Sequence, residues 1–227
     1  ASGVLILRHD IVQTNTPTLS GGGTVRFVSP TSHDYSNNVE AREEAGTPNV
    51  IGDLRAALCF IVKSVITQDF ITKRNRENLS KGLTAWMPHP NIEILGNTQC
   101  DRLPIFSFRL RDGKGGFVHQ QLVTRLLSDC FGIQTRGGCA CAGPYVHRVL
   151  DIGKNASDAM RDEILSGNEI EKLGFVRLNF SYLATDSEVN RIISAVLELA
   201  DSAGDHVERY SCDPTTAIFI PTKSFNQ

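Results

Sequence analysis

Two cysteines in a glycine-rich stretch are the residues of this sequence best placed to do chemistry. The stretch Arg136–Tyr145 reads Arg-Gly-Gly-Cys-Ala-Cys-Ala-Gly-Pro-Tyr and carries thiols at Cys139 and Cys141. Proline is favoured at the first position of a helix, so Pro144 predicts a short helix directly after the cysteines. A thiol close to a helix N-terminus and to basic side chains such as Arg136 and His147 is stabilised as the nucleophilic thiolate. The stretch therefore predicts a reactive cysteine, with Cys141 as the first candidate.

The same cysteines have other interpretations. Most cysteines are small buried hydrophobes, and a C-x-C pair also suits a redox function. A metal site would need two further ligands at recognisable spacing, so we predict none. The choice between Cys141 and Cys139 as the reactive thiol is left open by the sequence.

Composition describes an ordinary globular chain. It has 227 residues, of which 41% are hydrophobic and 21% charged, with a net charge of −2. The absence of a basic excess argues against nucleic acid and anionic membranes as partners. No apolar run reaches the length of a bilayer span, and no signal peptide is visible. Six scattered cysteines favour a reducing compartment, so we expect the cytoplasm, with the mitochondrion as the alternative.

The first third of the chain offers three features that could position a site. The apolar run Gly3–Leu7 predicts a strand buried on both faces, with partner strands expected upstream of residue 1. The triplet Gly21–Gly23 is either an anion cradle or a flexible turn. Thr47 as N-cap and Pro48 as first residue predict a long helix with an apolar stripe from Val50 to Val65. A hydroxyl at a helix N-terminus also suits a phosphate group.

The rest of the chain alternates short strands with helices, as in an α+β layer. Predicted strands cover residues 92–95, 104–110, 132–135 and 175–181, and predicted helices cover 71–86, 118–131, 146–150, 155–171 and a capped segment from 185 to about 200. The period of two in the last strand places Arg177 on the face opposite Val176, Leu178 and Phe180, where it needs an anion or water. Residues 205–227 are interpreted as a tail.

Together, four regions resemble the second half of class V aminotransferase-family enzymes. These pyridoxal-phosphate enzymes include the cysteine desulfurases and selenocysteine lyases. The matching stretches are Gly21–Gly23, Glu44–Asn49, Arg136–Cys141, and Arg177–Phe180 with Thr185–Glu188. They occur in the family's order across about residues 1 to 204.

The resemblance implies an α/β fold that is the C-terminal part of a fold-type I pyridoxal-phosphate transferase. Residues 1–67 would end the large cofactor-binding domain, 68–204 would form the C-terminal small α+β domain, and 205–227 would be the tail. The mixed sheet would carry helices packed on it.

The resemblance also implies roles for particular residues. Thr47 and Gly46 would bind the pyridoxal 5'-phosphate of the neighbouring subunit, which makes the enzyme a homodimer with a shared active site. Arg177, helped by Arg136, would hold the α-carboxylate of an amino-acid substrate. Cys141 would accept sulfur during cleavage of the C–S or C–Se bond, and a sulfur-acceptor protein would take it onward.

Three departures from the family pattern keep other functions open. The family's cofactor lysine is not in this chain, so the chain alone is expected to be catalytically silent. Ala140 stands where a histidine is common, and Cys139 creates a C-x-C that the common motif lacks. The alternatives are an aminotransferase, epimerase or other lyase with Cys141 non-catalytic, and a truncated non-catalytic module.

Overall fold

A computed structural model describes residues 2–139 and 141–222 of the chain. The chain divides into two compact units, Ala1–Gln68 and Asp69–Gln227. Within the described ranges, every helix is too short or too polar to cross a lipid bilayer.

The first unit contains a small antiparallel pair of strands and two helices. Their bounds are β1 Val25–Val28, β2 His33–Tyr35, α1 Val39–Glu43 and α2 Val50–Ile66. The glycine triplet forms a turn, in which Gly23 adopts a left-handed φ of +87°. The buried Thr24 hydroxyl donates to Gly21 O at 2.6 Å, and Gly46 N donates to Gly22 O at 2.8 Å. The triplet is thus tied to the segment that leads into α2.

The predicted strand at Gly3–Leu7 is wrong for the described structure. These residues form no regular element, and the Leu5 and Ile6 side chains are 81% and 87% exposed. A strand needs a neighbouring strand to pair its backbone groups, and none of the described residues supplies one here.

Helix α2 is confirmed, but its start differs from the prediction. Asn49, not Thr47, is the N-cap, and its side chain accepts a hydrogen bond from Gly52 N at 3.2 Å. Pro48 therefore precedes the helix. Asparagine caps helices at least as well as threonine, which explains the later start. The apolar side chains of α2 are exposed, with Leu54 and Leu58 at 58% and 59%.

The second unit is built on a four-stranded antiparallel sheet. The strands are β3 Ile92–Ile94, β4 Ile105–Leu110, β5 Arg136–Gly138 and β6 Phe175–Asn179, in the order β3-β4-β6-β5. The strand predicted at 132–135 is wrong, because these residues first close the preceding helix. Gly132 takes the left-handed conformation of a helix C-cap, and Ile133 N donates to Leu127 O at 2.9 Å. Sheet pairing begins only at Arg136.

Three helices contribute to the main core of this unit. They are α3 Gln68–Trp86, α4 Gln120–Phe131 and α7 Asp186–His206. The fully buried large side chains are Trp86, Phe106, Phe108, Leu110, Leu122, Val123, Leu126, Leu127, Val176, Val189, Val196 and Leu199. Trp86 packs edge-on against Phe106 and donates its Nε1–H to Ile193 O. The predicted inward face of β6 is confirmed by this core, which contains Val176 and Leu178.

The N-terminus of α7 is fixed by the predicted capping box. Glu188 N donates to the Thr185 hydroxyl at 3.2 Å, and Thr185 N donates to the Glu188 carboxylate at 2.7 Å. The two reciprocal bonds satisfy backbone groups that the helix itself leaves unpaired.

A second, smaller apolar cluster lies outside the main core. Leu95, Val146 and Phe175 form its buried centre, with Cys139, Val149 and Leu150 packed against it. Val146 and Val149 belong to the short helix α5 Gly143–Val149, which is followed by α6 Lys154–Leu165. The cluster thus joins α5 to the first residue of β6.

The end of the described chain is a hairpin, not the predicted tail. Strands β7 Tyr210–Asp213 and β8 Ile218–Pro221 pair antiparallel, and Tyr210 and Phe219 are buried in the main core. The Tyr210 hydroxyl donates to the Asp129 carboxylate at 3.0 Å. Burial, together with Asp129, raises the pKa of Tyr210 well above its ordinary value. Buried aromatic anchors explain why this segment folds back.

Candidate active site

The register of the sheet places two arginines directly opposite each other. Arg136 on β5 pairs with Arg177 on β6. Directly opposite residues of antiparallel strands project from the same face, with Cβ atoms about 5 Å apart. Val176 and Leu178 are buried in the core, so Arg177 lies on the other face of the strand and is exposed, as is Arg136.

This arginine pair has no carboxylate partner within the described ranges. Ion pairs there involve other basic residues, and neither Arg136 nor Arg177 takes part in one. Like charges directly across two strands are destabilising. An anion between the two guanidinium groups would remove that repulsion, and a planar guanidinium suits a carboxylate especially well. The pair is therefore a candidate carboxylate site.

Polar residues continue along the same part of the sheet. Asn179 lies two residues beyond Arg177 on β6, and Ser107 of β4 pairs with Arg177 on its other side. A cavity of about 220 Å³ at this edge is lined by both arginines and Asn179. Sequence reasoning gave no role to Ser107 or Asn179. The alternation in β4 and β6 would have placed both of them on the arginine face.

Cys141 lies beside this pair. Its side chain is exposed, and Arg136 Nη2 donates to its Sγ at 3.5 Å. Cys141 takes a left-handed φ of +57°, which is uncommon for a residue with a side chain. Arg136 thus contacts the thiol while lying opposite Arg177.

His147 does not take part in this arrangement, although it is close in sequence. Its Nδ1 lies 2.8 Å from Gly143 O and its Nε2 lies 2.9 Å from the Ser157 hydroxyl. Both ring nitrogens are therefore occupied, one by a contact within α5 and the other by a contact that joins α5 to α6. Ala140, which stands where the family often has histidine, lies outside the described residues.

The glycines of the loop serve packing more than ligand access. A Cβ on Gly137 would lie 2.9 Å from Gln120 O, and a Cβ on Gly174 would lie 2.6 Å from the Gly138 carbonyl carbon. These glycines let β5 approach α4 and the start of β6 closely. A Cβ on Gly143, in contrast, would meet none of the described atoms within 4 Å.

The other cysteines have environments that differ from that of Cys141. Cys139 is half-buried against the smaller apolar cluster. Burial raises the pKa of Cys130 and of Cys212, with neighbouring carboxylates adding to both shifts. Cys59 and Cys100 are exposed, and the Cys100 thiol donates to Asn97 O at 3.2 Å. Among the described residues, Cys141 is the cysteine whose sulfur accepts a hydrogen bond from an arginine.

Comparison with known proteins identifies the family. The family model described as Aminotransferase class-V matches residues 2–192. The chain belongs to the class-V aminotransferase family. The predicted resemblance to this group of pyridoxal-phosphate-dependent enzymes is thereby confirmed.

Relatives and solved structures of this family are cysteine desulfurases. One from Klebsiella pneumoniae subsp. pneumoniae is 33% identical over 148 residues, which cover 64% of this chain and 34% of that protein. The crystal structure of Escherichia coli cysteine desulfurase CsdA (S-sulfonic acid) matches with a TM-score of 0.59 and 24% identity, covering 83% of this chain and 39% of that chain. The apo structure of cysteine desulfurase from Thermococcus onnurineus NA1 matches with a TM-score of 0.64 and 24% identity, covering 82% and 40%.

These matches confirm the predicted fold class, α/β and part of a fold-type I pyridoxal-phosphate enzyme. The chain spans about a third of the length of the curated relatives that it matches.

Two residues of the first unit, Gly46 and Thr47, are predicted to bind the cofactor phosphate. Gly46 has a left-handed φ of +90°, and Thr47 is exposed, with a hydroxyl that makes no hydrogen bond to any described residue. These groups suit a phosphate. In the second unit, within the described ranges, no lysine lies on β5, on β6 or in the Cys141 loop. Lys223 lies outside the described residues.

Several lysines of the second unit already have acidic partners. Lys81 Nζ lies 2.9 Å from Asp186, Lys154 lies 3.0 Å from Asp158, and Lys172 lies 3.5 Å from Glu169. A protonated lysine held by a carboxylate is a poor nucleophile. The site of this chain therefore consists of an arginine pair and a thiol.

Proposed function

We propose that this chain supplies the carboxylate-binding arginines and the sulfur-accepting thiol of a cysteine desulfurase-type enzyme. One observation carries the proposal. Arg136 lies opposite Arg177 across β5 and β6, and the Arg136 guanidinium also contacts Cys141 Sγ at 3.5 Å. One arginine thus connects an anion site to a thiol, which is the arrangement that an amino acid with a side-chain sulfur requires.

Each residue has a defined part in the proposed reaction. Arg177 and Arg136 hold the α-carboxylate of cysteine or selenocysteine and orient the side chain toward Cys141. Arg136 also positions Cys141, because its guanidinium donates to Sγ at 3.5 Å. The Cys141 thiolate attacks the substrate sulfur and becomes a persulfide, while the carbon skeleton leaves as alanine. Pyridoxal phosphate, when bound, supplies the electron sink for the carbon that loses sulfur.

Cofactor binding and assembly belong to the same proposal. Gly46 and Thr47 contact the cofactor phosphate in a homodimer with a shared active site, and the exposed Thr47 hydroxyl supports that role. The boundary between the cofactor-binding part and the small domain lies at residues 67 and 68. The sulfur then passes to an acceptor protein, and the enzyme works in a reducing compartment, the cytoplasm or the mitochondrion.

Product analysis of the complete enzyme that contains this chain tests the proposal. Supplied with cysteine and a thiol reductant, it should release sulfide and alanine in equal amounts. Serine, which has no sulfur to give, is the matched control substrate and should yield neither product. Formation of a keto acid or of racemised cysteine without sulfide would assign an aminotransferase or epimerase instead. Absence of turnover in a cofactor-loaded preparation would assign a non-catalytic module.

A further inference from the structure

Cys139 and Cys141 lie within a single tight turn. Ala142 N donates to Cys139 O at 3.0 Å, which closes the turn, and Cys141 holds its left-handed φ of +57° inside it. Two Cα–Cα steps of about 3.8 Å separate the cysteines along the chain, so their Cα atoms are roughly 5.5–7 Å apart. Disulfides form at Cα separations of about 4.4–6.8 Å, a range that this spacing overlaps.

The two thiols differ in their surroundings in a way that assigns them different tasks. Cys141 is exposed and contacts Arg136, which suits the thiol that first receives sulfur. Cys139 is half-buried against Val146 and Phe175, where it is shielded from large reagents. A shielded thiol next to an exposed one is protected from direct modification but can still attack its neighbour.

We propose that Cys139 is the resolving thiol for sulfur held on Cys141. The inference rests on the proposed function only for the source of that sulfur. The Cys139 thiolate attacks Cys141 Sγ of the persulfide, the bond from that Sγ to the outer sulfur breaks, and a Cys139–Cys141 disulfide forms. The outer sulfur leaves as hydrosulfide and takes up the proton that Cys139 released. In this exchange the Cys139 sulfur goes from oxidation state −2 to −1 and the outer sulfur from −1 to −2, while the Cys141 sulfur stays at −1.

The sulfur on Cys141 would then have two routes: transfer to an acceptor protein, or release as inorganic sulfide. The supply of reductant determines how often the second route can be used. A dithiol reductant must reopen the disulfide before Cys141 accepts another sulfur. Where the reductant is scarce, the turn is locked as a disulfide and the site stops after one transfer. The C-x-C would therefore both release inorganic sulfide and make the site sensitive to reductant.

The test uses the chain itself and needs neither cofactor nor cysteine as substrate. The reduced chain is treated with inorganic polysulfide, desalted, and followed by sulfide assay and mass spectrometry. Trypsin cleaves after Arg136 and Arg148, so both thiols fall in peptide 137–148, which holds no other cysteine. In the unmodified chain this peptide should lose the mass of two hydrogens as sulfide appears.

In Cys139→Ser the same peptide should instead stay heavier by one sulfur on Cys141. Because the reaction within the turn has a high effective concentration, the persulfide should decay at least about tenfold faster in the unmodified chain. Cys139→Ala, which suits the apolar cluster, should behave like Cys139→Ser, and Cys100→Ser is the control that should match the unmodified chain. Equal persulfide lifetimes with and without Cys139, or sulfur found first on Cys139, would overturn the proposal.

Failure of this inference is distinguishable from failure of the proposed function. Polysulfide loads the thiol chemically, so rapid resolution in the chain would stand even if the complete enzyme released no sulfide from cysteine. A complete enzyme that releases sulfide from cysteine, and whose Cys141 persulfide decays equally fast with Cys139 and in Cys139→Ala, would keep the proposed function and remove only the resolving thiol.

Discussion

Replacing Cys141 by serine should abolish sulfide release from cysteine in the complete enzyme. The hydroxyl of serine has about the same size but cannot form a persulfide, so the acceptor step loses its nucleophile. We expect turnover to fall by at least about a thousandfold, within the range seen when a covalent nucleophile is removed. Sulfide and alanine assays at saturating cysteine measure the loss.

The side chain of Cys141 is exposed, so the substitution leaves the fold intact. Cys100→Ser is the matched control, because Cys100 is also an exposed thiol with a hydrogen-bond partner. It should retain full activity. Full turnover by Cys141→Ser would move the assignment to an aminotransferase, epimerase or other lyase in which this cysteine is a bystander.

Replacing Arg177 by alanine should weaken the apparent affinity for cysteine while leaving the thiol chemistry in place. Truncating one partner of a buried charge pair costs about 2–5 kcal/mol. Arg177 is exposed in this structure, so we expect the lower end, about 2 kcal/mol, which is roughly a 30-fold rise in KM. Initial rates over a range of cysteine concentrations measure it.

Two further variants test whether the effect depends on the shape of the Arg177 side chain or only on its charge, and whether loss of any exposed arginine would have the same effect. Arg177→Lys keeps the charge but loses the planar fork, so it should recover only part of the affinity. Arg161 is exposed and forms an ion pair with the adjacent Asp162, and Arg161→Ala should leave KM unchanged. An unchanged KM in Arg177→Ala would show that the substrate carboxylate binds elsewhere.

Much of the second unit could be predicted from the sequence because its signals are local. Alternation in β6 identified Val176 and Leu178 as core residues, and the Thr185–Glu188 box marked the start of α7. These patterns depend only on residues a few positions apart.

Other features depend on contacts that no local pattern contains. The apolar run at Gly3–Leu7 predicted a strand, yet its structure depends on a pairing partner. The hairpin at 210–221 folds back because Tyr210 reaches Asp129, which is 81 residues away in the sequence. The position of β5 followed from where Gly132 ends α4, and that shifted the strand to Arg136.

The candidate site likewise combines features that follow from residue type with features that depend on contacts between distant segments. The types of Arg136, Cys141 and Arg177 were informative by themselves, since guanidinium groups and a thiol suggest a carboxylate and a nucleophile. Their juxtaposition was expected only from the family resemblance, because the register that sets Arg136 opposite Arg177 joins segments about 40 residues apart. The roles of Gly46 and Thr47 stay predictions.

The most direct test of the account compares two alkylating reagents on the unmodified chain. Iodoacetate carries a carboxylate and iodoacetamide does not, so the ratio of their rates at one thiol reports whether that thiol lies beside a carboxylate site. We expect the iodoacetate-to-iodoacetamide ratio at Cys141 to exceed the ratio at the exposed Cys100 by about tenfold, the factor that corresponds to 1.4 kcal/mol. The ratio at Cys141 should fall in Arg177→Gln and hold in Arg161→Gln, which removes the same charge elsewhere. Equal ratios at the two cysteines, or a ratio at Cys141 that is indifferent to Arg177, would contradict the claim that the arginine pair and this thiol form one site.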